Sequence, residues 1–209
     1  MKKSLLANII MALLAFLSAS SAYAAGTKYQ EMPAGIYQLD KTHASLTWKV
    51  SHLGLSNYTA RFTRFDAQID FKPEAPENSK VTVTIDPASV ETDYPYPQKK
   101  DFDKKLVTKP EWFNATVFAE ITFTSTGIKM TGDNTAIMTG DLTFLGATHP
   151  MSLNVTFNGA MKKQPFSKKP TLGFSASGSL KRSDWGMATY VPNIGDEVML
   201  LIEAEFAKD

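Results

Sequence analysis

HASLTWKVSHLG, residues 43–54, alternates without a break. Ala44, Leu46, Trp48 and Val50 share one face, and Ser45, Thr47, Lys49 and Ser51 share the other. A period of two predicts a β-strand over residues 44–52 with one face buried. His52 continues the apolar face and is expected to point toward a core or cavity, satisfied by local hydrogen bonds. His43 falls on the opposite face and is expected to be wet.

The same period recurs along the chain. Phe65, Ala67, Ile69 and Phe71 alternate with polar residues, as do Val81, Val83 and Ile85. Val117, Ala119, Ile121 and Phe123 repeat it, then Ala136, Met138, Leu142 and Phe144. Met151, Leu153, Val155 and Phe157 follow, then Leu172, Phe174, Ala176 and Leu180, and finally Val198 to Phe206. Turns are expected at residues 72–74, 132–134, 146–150 and 162–170. Many short strands at this spacing predict an all-β sandwich or barrel. Residues 93–115 break the pattern. Pro95 and Pro97 exclude a central strand. Phe102 and Leu106, four apart, predict a short helix within residues 98–109, ended by Lys109-Pro110.

The chain begins with Lys2-Lys3, a short apolar run over residues 5–17, and Ala22-Tyr23-Ala24. These predict a secretory signal peptide over residues 1–24, a barrel domain over residues 25–209, and periplasmic localisation. Losing residues 1–24 removes two of the 22 basic side chains and none of the 21 acidic ones, leaving a formal net charge of −1. That balance offers nothing to nucleic acid. The chain has no cysteine, so no disulfide holds it.

Catalytic and metal sites find little support. His43 and His52 lie on opposite faces of one strand and cannot share an ion. His149 is expected in a turn. No G-x-S-x-G elbow occurs, and Asp184 reads as part of a turn after a strand. Asp101, Asp103, Glu203 and Glu205 read as solvated carboxylates. Lysines cluster at residues 99–105 and 162–169. The first group could receive an anionic headgroup, and the second reads as a solubilising hairpin tip.

Taken in order, the motifs resemble the YceI-like family of periplasmic, lipocalin-like proteins that bind polyisoprenoid lipids. They are Tyr37-Gln38-Leu39-Asp40 with His43, and residues 50–56. Phe62-Thr63-Arg64-Phe65-Asp66, Val83-Thr84-Ile85-Asp86 and Gly140-Asp141-Leu142-Thr143 follow. Residues 146–150, residues 181–187 and Gly195-Asp196-Glu197-Val198 complete the set. Where that family often has a glycine this chain has Ala60, and its crossover reads Phe102-Asp103-Lys104-Lys105-Leu106.

The resemblance implies an elongated antiparallel barrel of about eight strands around a tunnel for one long isoprenoid chain, with no catalytic residue and no metal. Trp48, Val50, Phe65, Phe71, Phe102, Leu106, Phe123, Met138, Phe144, Met151 and Phe174 become the expected tunnel wall. His52, Tyr58, Lys105 and Arg182 become the expected polar contacts to the head. The isoprenoid lipid is the expected partner, as a ligand rather than a cofactor, with no stable membrane insertion and a monomer or homodimer as the assembly. An enzyme acting on a lipid or quinone and an outer-membrane barrel are the competing readings. The outward Ser152, Asn154, Thr156 and Asn158 oppose the latter.

Overall fold

A computed structural model describes residues 27–208. The expected signal peptide lies outside them. The strands are β1 (Gly35–His52), β2 (Ser56–Phe62), β3 (Phe65–Phe71), β4 (Lys80–Ile85), β5 (Val90–Glu91), β6 (Ile121–Met130), β7 (Thr135–Phe144), β8 (Ala147–Met161), β9 (Thr171–Lys181) and β10 (Ile194–Ala207). One helix, α1 (Phe102–Thr108), lies in the crossover between β5 and β6.

Every pairing is antiparallel, and β1 closes the sheet against β10. The first strands are broken in two. β1 pairs with β3 near its start and with β2 from Leu46 to His52, so β2 and β3 form one interrupted staff. β4 and β5 repeat this, facing β3 and β2 respectively. The result is a closed, lipocalin-like barrel of eight staves. Closure pairs the staves around the barrel except at the upper end, where β5 and β6 do not meet. Gly140 on β7 fits against β6 because it lacks a side chain: a Cβ there would lie 2.3 Å from the Phe123 ring.

Alternation places two apolar clusters in series along the interior. One gathers Tyr37, Ile69, Phe71, Leu172 and Phe206 at the end where β1 begins. The other gathers Leu46, Phe62, Phe113, Leu142, Phe144 and Trp185 toward the end where β1 finishes. The first end, called lower below, is covered by the chain's start. Met32 is buried, Tyr29 meets Phe157 edge-on at 5.7 Å, and Lys162 pairs with Glu31 at 2.9 Å. At the upper end β5 is only two residues long, and the crossover with α1 covers the wall beyond it.

Four expectations need correction. Residues 117–119 are not strand: the Asn114 carbonyl, at a φ of 46°, accepts N–H bonds from Val117 and Phe118, and this turn delays β6 to Ile121. β2 was not foreseen, nor the start of β1 at Gly35. The turn expected at residues 146–150 is only Leu145-Gly146, and Thr148 to Pro150 already pair with β7. Pro150 fits there because β9 joins β8 only from Asn154 onward, so its missing N–H faces an unpaired side.

Candidate functional site

Inside the barrel lie two cavities. The lower one, of about 200 Å³, is walled by inward side chains of β1, β3, β4 and β6–β10, among them Phe65, Phe71, Phe123, Met138, Met151 and Phe174. The upper one, of about 590 Å³, is walled by Trp48, Val50, Phe102, Leu106 and Phe144, with the side chains of the crossover and the β9–β10 loop. Four residues, Leu46, Ile85, Leu142 and Leu200, line both. They come from β1, β4, β7 and β10, and form a shared boundary, a waist, between the two cavities. All eleven residues expected in a tunnel wall therefore line one cavity or the other.

Polarity is unequal between the two. The lower cavity meets polar residues only at its far end, at Ser79, Asn134 and Thr135. The four expected head contacts, His52, Tyr58, Lys105 and Arg182, all line the upper cavity, as does Lys100. Tyr58 on β2 donates to the Thr92 carbonyl at 3.2 Å and meets Phe102 edge-on. Lys105 sits on α1 with its Nζ 5.8 Å from the Trp112 ring centre. Asp101 caps α1 by accepting from the Lys104 N–H, and Asp103 accepts from the Thr92 N–H and hydroxyl, fastening α1 to the wall. Asp101 stays exposed as expected while capping α1, and Asp103 is half-buried against Thr92.

His52 departs from expectation. It follows the inward face, but β1 ends there, so its ring is exposed at the cavity mouth and makes no hydrogen bond. The chain turns at once through Leu53 and Gly54, both at positive φ, with the His52 carbonyl accepting from the Leu55 N–H. Arg182 is buried, and four carbonyls occupy its guanidinium: Gly195, Met187, Thr189 and Ile194, at 2.7–2.9 Å. It shapes the wall by holding the loop before β10. Burial lowers its pKa, while Asp196 opposes that shift.

The wall also has members that alternation did not reveal: Tyr94, Trp112, Phe113, Met187 and Tyr190. All sit on irregular segments: Tyr94, Trp112 and Phe113 were signalled only by the break at residues 93–115, Met187 only by the motif at residues 181–187, and Tyr190 by nothing. Trp48 and Trp112 add an unusual feature. Their indole N–H groups are buried without an acceptor. Such donors are rare in native interiors and each costs about 1–3 kcal/mol.

Away from the cavities, Asp40, His43 and Glu205 bring their ligand atoms within 4.8 Å of one another. His43 Nδ1 already lies 2.9 Å from Asp40 Oδ2 and 3.0 Å from Thr42 Oγ1. Hydrogen bonds from Thr42 and His43 lower the Asp40 pKa to about 2, and Asp40, with Glu205 behind it, raises that of His43. His149 lies on β8, not in a turn, and meets Trp185 edge-on at 5.1 Å. Trp185 in turn donates to the Leu142 carbonyl.

Residues 37–206 match the YceI-like domain. The chain belongs to the YceI-like family. It is 35% identical to Protein YceI of Shigella flexneri over 207 residues, 98% of this chain and 97% of that one. A UPF0312 protein of Pseudomonas fluorescens is 35% identical over 159 residues, 75% of this chain and 79% of its own. Among solved structures, the Campylobacter jejuni YCEI protein shares 31% identity with a TM-score of 0.66, over 77% of this chain and 91% of that one. A polyisoprenoid binding domain from Saccharophagus degradans shares the fold at 14% identity and a TM-score of 0.57, over 83% of this chain and 98% of its own.

Proposed function

We propose that this YceI-like protein is a periplasmic binding protein that holds one long-chain isoprenoid lipid inside the barrel. One observation carries the reading: two apolar cavities in series, sharing a waist of four side chains, with most polar side chains around the upper one. That asymmetry fits a molecule with a long hydrocarbon tail and a single polar head. The upper cavity has the size of ordinary ligand sites, about 300–1,000 Å³. Each buried CH₂ contributes ~0.8 kcal/mol, so a polyprenyl tail binds without specific polar contacts.

The head belongs in the upper cavity. His52, Tyr58 and Lys105 offer it polar contact. Arg182 supports the wall. Carriage or storage, rather than turnover, suits a cavity whose strongest polar group is committed to backbone carbonyls, and the reading involves no metal or organic cofactor. An outer-membrane barrel is disfavoured by β8, which turns Met151 and Leu153 inward and Ser152, Asn154, Thr156 and Asn158 outward. The polyisoprenoid-binding description of the Saccharophagus domain agrees with the reading.

The test is mass spectrometry of protein purified from its export compartment without detergent, natively and after solvent extraction. A stoichiometric prenyl species is the expected result and would identify head and tail together. A clean apo mass that persists after incubation with polyprenyl lipids would overturn the reading.

A further inference from the structure

The mouth of the upper cavity displays apolar side chains to the surroundings. Leu53 and Leu55 flank the β1–β2 turn and are 54% and 84% exposed. Tyr190 and Val191, on the loop before β10, are 59% and 38% exposed, and Tyr96 on the crossover is 51% exposed. These residues form one rim. The Leu53 N–H donates to the Asn193 carbonyl at 2.7 Å, tying the turn to the loop. Tyr190 packs against Trp112, which lies under Lys105 of α1. His52, Ser56, Tyr94 and Tyr190 line the cavity itself, so rim and mouth are continuous.

Two of these side chains stand where local physics disfavours them. Leu53 has a φ of 55° and Tyr190 a φ of 63°. A two-residue hairpin turn with positive φ selects Asn or Gly at its first position, and a large side chain there is strained. Neither residue recovers the strain by burial. Backbone strain held at an exposed apolar residue points to a surface that is covered at some stage of function.

Charge indicates what covers it. Lys99, Lys100, Lys104, Lys105 and Lys109 surround the crossover side of the mouth, and among the described residues none of them forms an ion pair. Lys99, Lys100 and Lys105 lie 5.0–5.8 Å from the ring centres of Tyr96, Phe102 and Trp112. Asp101 accepts at the α1 cap and Asp103 accepts from Thr92, but both keep their charge, so with Asp93 and Glu111 they leave residues 93–111 a surplus of one positive charge. Exposed leucine and tyrosine tips with lysine stems on the crossover side match the boundary between acyl chains and anionic headgroups.

We propose that this rim is a membrane-docking surface, which seats the upper cavity mouth on an anionic lipid bilayer so that an isoprenoid passes between bilayer and barrel. The passage rests on the lipid-holding reading; the docking does not. The tips supply the attachment, and the lysines supply the preference for anionic lipid.

The test is co-sedimentation of the protein with vesicles of phosphatidylcholine alone and of phosphatidylcholine mixed equally with phosphatidylglycerol. The expected result is binding to the mixed vesicles that weakens as salt screens the lysines. The double variant Leu55→Ser with Lys104→Ser touches neither cavity and should bind the mixed vesicles roughly thirtyfold more weakly or worse. Phe166→Ser, at the lysine-rich β8–β9 tip of the other end and 89% exposed in the native chain, should leave binding unchanged. The proposal is overturned by no sedimentation of the native protein, by binding indifferent to phosphatidylglycerol, or by loss that follows Phe166 instead. Native mass spectra of the same proteins separate the two readings. A double variant that still carries a prenyl lipid but has lost vesicle binding supports docking. A native protein that binds mixed vesicles yet never holds a prenyl lipid supports docking and overturns only the lipid-holding reading.

Discussion

His43 and Asp40 show how far one residue's role could be read from its face. Alternation correctly put His43 outside, but its partners come from Asp40 before it and from Glu205 on β10, and no period reveals the β1–β10 register. The pair has a defined pH dependence. The Asp40 pKa is depressed to about 2 from 3.8, so its contribution is complete above the unfolded value and lost as pH falls through about 2. The His43 pKa is raised above 6.5, so its contribution is complete below that value and lost as pH rises through the folded one. The pair therefore stabilises most between about pH 4 and pH 6.5. Thermal melting across pH should show the native protein losing stability from that window toward neutral pH more steeply than His43→Gln. Identical profiles would mean the contact is too exposed to matter. His52 shows the limit of the same logic, since a face predicts direction but not whether the strand continues far enough to cover the ring.

At the scale of elements, strands facing a solid apolar wall were legible and broken or irregular segments were not. β2 escaped notice although Tyr58, Ala60 and Phe62 alternate with polar residues, because it is short and follows the Gly54 turn directly. Trp112 and Tyr190 reach the cavity through tertiary docking, which leaves no period in the sequence. Arg182 is the clearest case. As a basic residue near a pocket it read as a head contact, whereas its guanidinium gathers four carbonyls of the loop before β10. A lysine is a point charge on a flexible stem and cannot serve four acceptors at fixed angles. Arg182→Lys should therefore destabilise the barrel by about 1–3 kcal/mol, since the Met187 carbonyl it abandons is buried and the other three are half-buried. Urea unfolding measures that loss, and hydrogen exchange over residues 187–195 should quicken well before the strands do. A change below about 0.5 kcal/mol would show that the loop holds itself.

At the scale of the whole molecule, the barrel and its apolar interior were readable, but the division of that interior was not. Leu46, Ile85, Leu142 and Leu200 look in sequence like any other inward residues, and only closure sets them opposite one another. On the proposed reading the waist divides the work of binding, with head and first isoprene units above and the rest of the tail below. Leu200 is only partly buried, so a larger side chain there is tolerated better than at the buried Leu46 or Leu142. Leu200→Trp should fold, at a cost of about 1–3 kcal/mol for overpacking. It should also close the passage into the lower cavity. At ~0.8 kcal/mol per CH₂, keeping only three chain carbons out of the lower cavity weakens binding roughly fiftyfold. A short prenyl alcohol that fits the upper cavity should bind the variant about as well as the native protein, while a long polyprenol should lose most of its advantage. Competition between the two alcohols, read by native mass spectrometry, measures both at once. Equal loss of short and long chains would place the tail elsewhere than through the waist. Unchanged binding of both would mean that the lower cavity takes no part in holding the lipid.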